Sequence, residues 1–95
     1  MIYINQTLAR VEVDIENSDI NLDNVDSMDI LVEKPNGNTD TWHVTQKTGT
    51  KFIYKFQTGD ISVVGDYKLQ ARVDDNGDIG YGRIVKLKIY KPIIE

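Results

Sequence analysis

The chain has 95 residues, a formal net charge of -4 and no cysteine. That length holds one domain, residues 1–95, and the missing cysteines exclude a disulfide framework, a thiolate metal site and a thiol nucleophile. The mildly acidic balance, with no basic stripe, speaks against nucleic-acid phosphates as partners. The opening Met1-Ile2-Tyr3-Ile4-Asn5-Gln6 lacks a basic segment followed by an apolar run, and no stretch is apolar over the ~20 residues of a membrane-spanning helix. The expectation is a soluble protein made in a cytoplasm, with no membrane partner. A chain this short buries roughly 60–70% of its unfolded surface, so an oligomer or a larger assembly would help its thin core.

Taken in chain order, the dominant pattern is a period of two, the mark of strands with one buried face. Ala9, Val11, Val13 and Ile15 alternate with Arg10, Glu12 and Asp14. Residues 16–26 are polar and acidic around Ile20 and Leu22, which reads as a long connection with room for one short edge strand. Met28, Ile30 and Val32 alternate with Asp29, Leu31 and Glu33, a strand that is nearly apolar on both faces. Lys34-Pro35-Asn36-Gly37-Asn38 is turn chemistry, with proline early and glycine late. Trp42 and Val44 then alternate with Thr41, His43 and Thr45, and Gln46-Lys47-Thr48-Gly49-Thr50 reads as a short hairpin loop. Phe52, Tyr54 and Phe56 form the next apolar face, and residues 59–64 could hold at most one helical turn. Tyr67, Leu69, Ala71 and Val73 alternate cleanly with Lys68, Gln70 and Arg72. Asp74-Asp75-Asn76-Gly77-Asp78 carries the Asn-Gly hairpin signal, because both central residues tolerate positive φ. Gly80 and Gly82 flank Tyr81, where one of them marks a bulge. Val85, Leu87 and Ile89 alternate with Lys86 and Lys88, and Pro92 stops that strand before Ile93 and Ile94.

No segment repeats apolar residues at helical spacing over three turns. The fold class read from these strands is therefore all-β: an antiparallel, immunoglobulin-like β-sandwich of six or seven strands, favoured over a small barrel.

The residues that could carry chemistry do not assemble into a motif. Asp74, Asn76 and Asp78 match the first, third and fifth places of a calcium loop, but Ile79 and Val85 stand where glycine and a bidentate acid are needed. Asp14, Glu16, Asp19, Asp23 and Asp26 form an acidic run, which reads as a solvated connection. His43, the only histidine, sits on the polar phase of its strand. Ser18, Ser27 and Ser62 lack the glycine pattern of a nucleophile elbow. Trp42 reads as a core plug; as a sugar-stacking platform it would have to stand exposed, beside Tyr3, Tyr81 or Tyr90. Arg83, Lys86, Lys88 and Lys91 read as an edge strand guarded by cations or as a patch that meets an acidic partner. The sequence thus predicts no enzyme, no cofactor and no metal.

One resemblance is carried by Asn21-Leu22-Asp23-Asn24-Val25, Ile30-Leu31-Val32-Glu33-Lys34-Pro35-Asn36-Gly37, Trp42, Tyr54, Thr58-Gly59-Asp60-Ile61 and Gly65-Asp66-Tyr67-Lys68-Leu69-Gln70-Ala71. In this order they resemble small β-sandwich modules of tailed-phage virions, similar to the N-terminal domain of phage baseplate upper proteins and to head- or neck-attached fibre proteins. Asn36 and Ile61 depart from the aspartate and leucine usual there. The resemblance implies a structural or adaptor protein located in the virion. Its partners would be other virion proteins of capsid, neck, tail or baseplate, and it would often form a homo-oligomer. Ile2, Tyr3, Ile4, Ile93 and Ile94 are the expected partner contacts, because terminal apolar strands are easily left uncovered; each either pairs in its own sheet or reaches a partner. A carbohydrate-binding or adhesive sandwich is the alternative.

Overall fold

A strand whose apolar side chains fall on every second residue can bury one face only, so several such strands must pack as two layers. A computed structural model of the protein, which describes residues 2–15 and 25–93, shows those layers. The described strands are β1 (Ile2–Tyr3), β2 (Arg10–Asp14), β3 (Ser27–Glu33), β4 (Thr39–His43), β5 (Gln46–Thr48), β6 (Lys51–Lys55), β7 (Gly65–Asp75), β8 (Asp78–Tyr81) and β9 (Val85–Tyr90). The larger sheet runs β1-β9-β7-β3-β4, with β8 also paired to β7, and the smaller runs β2-β6-β5. All pairs are antiparallel except β1 with β9. The fold is the expected all-β sandwich.

Nine strands are described where six or seven were expected. The six alternating segments are all present, and the additions are β1, β5 and β8, which have two to four residues each. Residues 46–48 fall in β5 rather than in a loop, and the turn is only Gly49 and Thr50. Between β4 and β5 stand only Val44 and Thr45, so the chain changes sheets at a corner of two residues. Such corners are how one strand serves both layers of a sandwich. The additional edge strand considered for residues 16–26 lies almost wholly outside the described residues.

The core is the sum of the inward faces. Val13, Ile15 and Phe52 from the smaller sheet meet Ile30, Val32, Trp42, Tyr67, Leu69, Ala71, Val73 and Ile89 from the larger one, all buried. Trp42 links the layers: its ring stacks on Tyr54 at 5.0 Å and 7° and meets the edge of Phe56 at 5.5 Å and 78°. It is 2% exposed, so it is the core plug.

Asp75 pairs with Asp78, leaving a loop of Asn76 and Gly77 at φ 52° and 91°. Positive φ at both positions is what a type I′ turn requires and why Asn-Gly serves there. The tip is tied down by acids: Asp26 accepts the Asn76 amide at 2.9 Å, and Asp74 accepts that of Gly77 at 3.0 Å. Among the described residues no group of three or more acids and histidines is arranged to hold a metal ion.

Past β8 the register slips. Arg72 pairs with Tyr81 and Leu69 with Val85, so Gln70 and Ala71 face three residues, Gly82, Arg83 and Ile84. This is the bulge expected at one of the glycines. The Gly82 amide donates to the Ala71 carbonyl at 2.9 Å, and its carbonyl accepts from Gln70 Nε2 at 3.0 Å. A Cβ on Gly82 would stand 3.0 Å from Asp14 O, 3.1 Å from Ile15 Cα and 3.2 Å from Ile15 O. These are backbone atoms of the opposite layer, which cannot swing aside. Gly82→Ala is expected to lower stability by about 1–3 kcal/mol, the usual cost of overpacking. Urea unfolding checks this, and an unchanged midpoint would mean that the layers part there at no cost.

Candidate functional site

The register decides which residues share the outer face of the larger sheet. Odd residues of β7 point to the core and even ones outward, and each outward residue brings its cross-strand partners with it. Asp29 on β3 therefore lies directly between His43 on β4 and Arg72 on β7. Its carboxylate is 2.6 Å from His43 Nδ1 and 3.8 Å from Arg72 Nη1, and the residue is only 7% exposed. A buried carboxylate needs such partners, because an unpaired charge there would cost several kcal/mol. His43 itself is largely exposed, as its polar phase implied. The cluster holds β3, β4 and β7 in register.

Beside it is a shallow cleft of about 600 Å³ on the same face, whose lining includes Leu31, Thr41, Lys68, Gln70 and Ile84. Ile84 sits there because the bulge turns it outward, and it is 58% exposed; Tyr81, next along, is 55% exposed. At the far side Tyr3 and Tyr90 are cross-strand neighbours, with ring centroids 6.1 Å apart. Lys88 Nζ stands 5.3 Å from the Tyr90 centroid.

The edges of this sheet differ from one another. Val44 N donates to Met28 O and Lys34 N to Asn38 O, so the even residues of β4 bond to β3 and the odd ones turn their amides outward. The outward amide of Thr41 is taken by the Asp40 carboxylate at 2.8 Å. On β1 the amide of Tyr3 is taken by Gln6 Oε1 at 3.0 Å. Both edges thus satisfy outward groups with their own side chains, one of the ways proteins blunt an edge.

Of the residues singled out from sequence, Ile2 and Ile4 pack against the core, and Tyr3 pairs with Tyr90 on the outer face. The first segment therefore belongs to its own sheet. Ile93 is 101% exposed, and Ile94 lies outside the described residues. Of the acidic run, Glu16, Asp19 and Asp23 also lie outside, while Thr50 donates to Asp14 at 2.7 Å. The buried Trp42 removes the exposed-tryptophan form of the carbohydrate reading.

Sequence reasoning missed the Asp29 cluster and the capped edges. The one signal for Asp29 was an acid inside an otherwise apolar strand. Which residues would face it depends on register, which no local pattern carries. No protein-family model, no curated protein and no solved structure matches the chain.

Proposed function

We propose that this protein is a non-enzymatic structural or adaptor module of a tailed-phage virion, joining capsid, neck, tail or baseplate proteins. The observation that supports this reading most directly is where apolar side chains remain uncovered. Leu8 before β2, Tyr81 and Ile84 beside the bulge, and Ile93 are more than half exposed. Exposed apolar groups on a small domain mark contacts with other proteins. The virion setting rests on the resemblance in residues 21–71.

The test has two arms. Light scattering reports whether the purified chain is an oligomer, and co-sedimentation with tailed-phage structural proteins reports whether it joins an assembly. Binding to one of those proteins is expected. A monodisperse monomer that binds none of them overturns the proposal.

A carbohydrate-binding reading keeps one observation in its favour, the Tyr3 and Tyr90 rings side by side on the outer face. It requires those ring signals to shift in a glycan titration.

A further inference from the structure

We infer that the outer face of the larger sheet is the contact surface of a twofold dimer, with the axis running along the strands between β3 and β7. This goes beyond the adaptor reading, since such a dimer requires no virion, and it names the surface through which a homo-oligomer of that module would form.

The cross-strand pairs lay this face out in rows. From β4 through β3 and β7 to the side of β8 and β9, the middle row is Thr41, Leu31, Gln70 and Ile84, with no charge. The row toward the start of β7 is Thr39, Glu33, Lys68 and Lys86. The row toward its end is His43, Asp29, Arg72 and Tyr81. In both charged rows the acid stands on β3 and its base on β7.

A twofold axis along the strands keeps each row facing itself and exchanges left with right, so the two copies present one self-complementary patch. Glu33 then faces Lys68 of the second copy, and Lys68 faces its Glu33. A twofold axis along the rows would instead set Glu33 against Asp29 and Lys68 against Arg72, like against like. Opposite charges that face each other attract and like charges repel, so charge admits the first arrangement and rejects the second. Glu33 and Lys68, each more than half exposed, carry this selection, while Asp29 is covered by its own partners. The pair within the chain, at 3.7 Å, need not break, because the two pairs meet as a square of alternating charges.

The shape agrees with the charge. The neutral row lines the cleft of about 600 Å³. Exchanging left with right brings Ile84, 58% exposed, onto Thr41 inside the cleft of the second copy. Each copy thus fills the other's cleft, and Tyr81, 55% exposed, lands on His43. Covering these apolar side chains drives the contact. Four strands about 4.8 Å apart and roughly nine residues long give a face of about 600 Å². That is the lower end of what a stable pair buries on each partner.

Sedimentation velocity on the full chain over a concentration series is expected to show a monomer–dimer equilibrium. Ile84→Glu should weaken the dimer about tenfold or more, because a carboxylate then enters each cleft. Glu33→Lys should also weaken it, by setting lysine against Lys68 of the second copy, and Lys68→Glu should do so by setting acid against Glu33. Mixed together, these two charge variants should pair with each other about as tightly as the unaltered chain does. One then offers only lysines at these positions and the other only glutamates. Both remain net acidic, so overall charge does not draw them together. Circular dichroism checks that each variant is folded, and should Ile84→Glu fail to fold, the mixture decides.

An unaltered chain that stays monomeric at every concentration overturns the inference. So does a dimer that a folded Ile84→Glu leaves intact, because it uses another surface, and so does a mixture of the two charge variants that stays monomeric. A monomer that still joins phage structural proteins removes the dimer and leaves the adaptor reading standing. The expected dimer without any such binding supports this face and counts against the adaptor reading alone.

Discussion

Replacing Trp42 by alanine is expected to cost about 3–5 kcal/mol, the range for truncating a fully buried large aromatic. A domain of this size has roughly 5–14 kcal/mol of net stability, so one substitution would consume about a fifth of it or more. The loss is large because Trp42 spans both layers. It stands on β4 and stacks on Tyr54 of the smaller sheet, while Phe56 meets it edge-on. Removing the indole deprives both partners of contact at once, and neither sheet can collapse into the gap without breaking its own ladder. Trp42→Phe separates packing from polarity. The indole Nε1 is buried with no hydrogen-bond partner among the described residues, and an orphaned donor carries its own desolvation cost of about 1–3 kcal/mol. Phenylalanine keeps an aromatic face against Tyr54 and removes that orphan, so its net cost should be well below that of alanine. Chemical denaturation followed by circular dichroism checks both. Equal losses for the two substitutions would show that the indole volume alone decides.

The core position of Trp42 was legible in the sequence because it shares a phase with Val44, and alternation is a local property. The same reasoning placed the inward faces of β2, β3, β6, β7 and β9. Turn chemistry was legible for a related reason: Asn76-Gly77 has few backbone options, and Gly82 faces a neighbour that leaves no room for a side chain. What alternation cannot show is a strand too short to alternate. β1 has two residues and exists because β9 offers it an edge. β5 exists because β6 lies next to it. The site was less legible than the fold for the same physical reason. Asp29, His43 and Arg72 are far apart in sequence and meet only once the register of β3 against β4 and β7 is set.

That dependence bears on function. The lysines of β9 were visible as a run of cations, and both the guarded edge and the acidic partner were readings of it. What the register adds is their neighbours on the outer face: Lys86 stands across from Lys68, Lys88 across from Asp66, and Lys88 Nζ lies 5.3 Å from the Tyr90 ring centroid.

Tyr67→Phe is expected to lower stability by about 1.5–3 kcal/mol although it removes a single oxygen. The Tyr67 hydroxyl donates to Val63 O at 2.8 Å and accepts from Val63 N at 3.0 Å. It thereby ties the turn before β7 to the start of that strand. Phenylalanine would leave both backbone groups of the half-buried Val63 without that partner. In a domain this size each kcal/mol lowers Tm by roughly 4–8 °C. The same hydroxyl predicts an alkaline limit. Burial raises the pKa of Tyr67 above the ordinary 10.0, and the backbone bond from Val63 offsets part of the rise. Tyr54 is raised further, first by burial and then by its hydrogen bond and proximity to Asp60, with a smaller push from Asp40. Above pH 10 the unfolded chain releases these protons while the folded chain retains them. The unfolded state then binds fewer protons, so stability falls as pH rises. Urea midpoints should hold steady up to about pH 9 and decline by about pH 11, near and above the ordinary tyrosine value. The decline should be shallower in Tyr54→Phe and in Tyr67→Phe, each of which removes one of the two protons. A midpoint that stays level through this range would mean that hydroxide reaches both phenols without opening the sandwich.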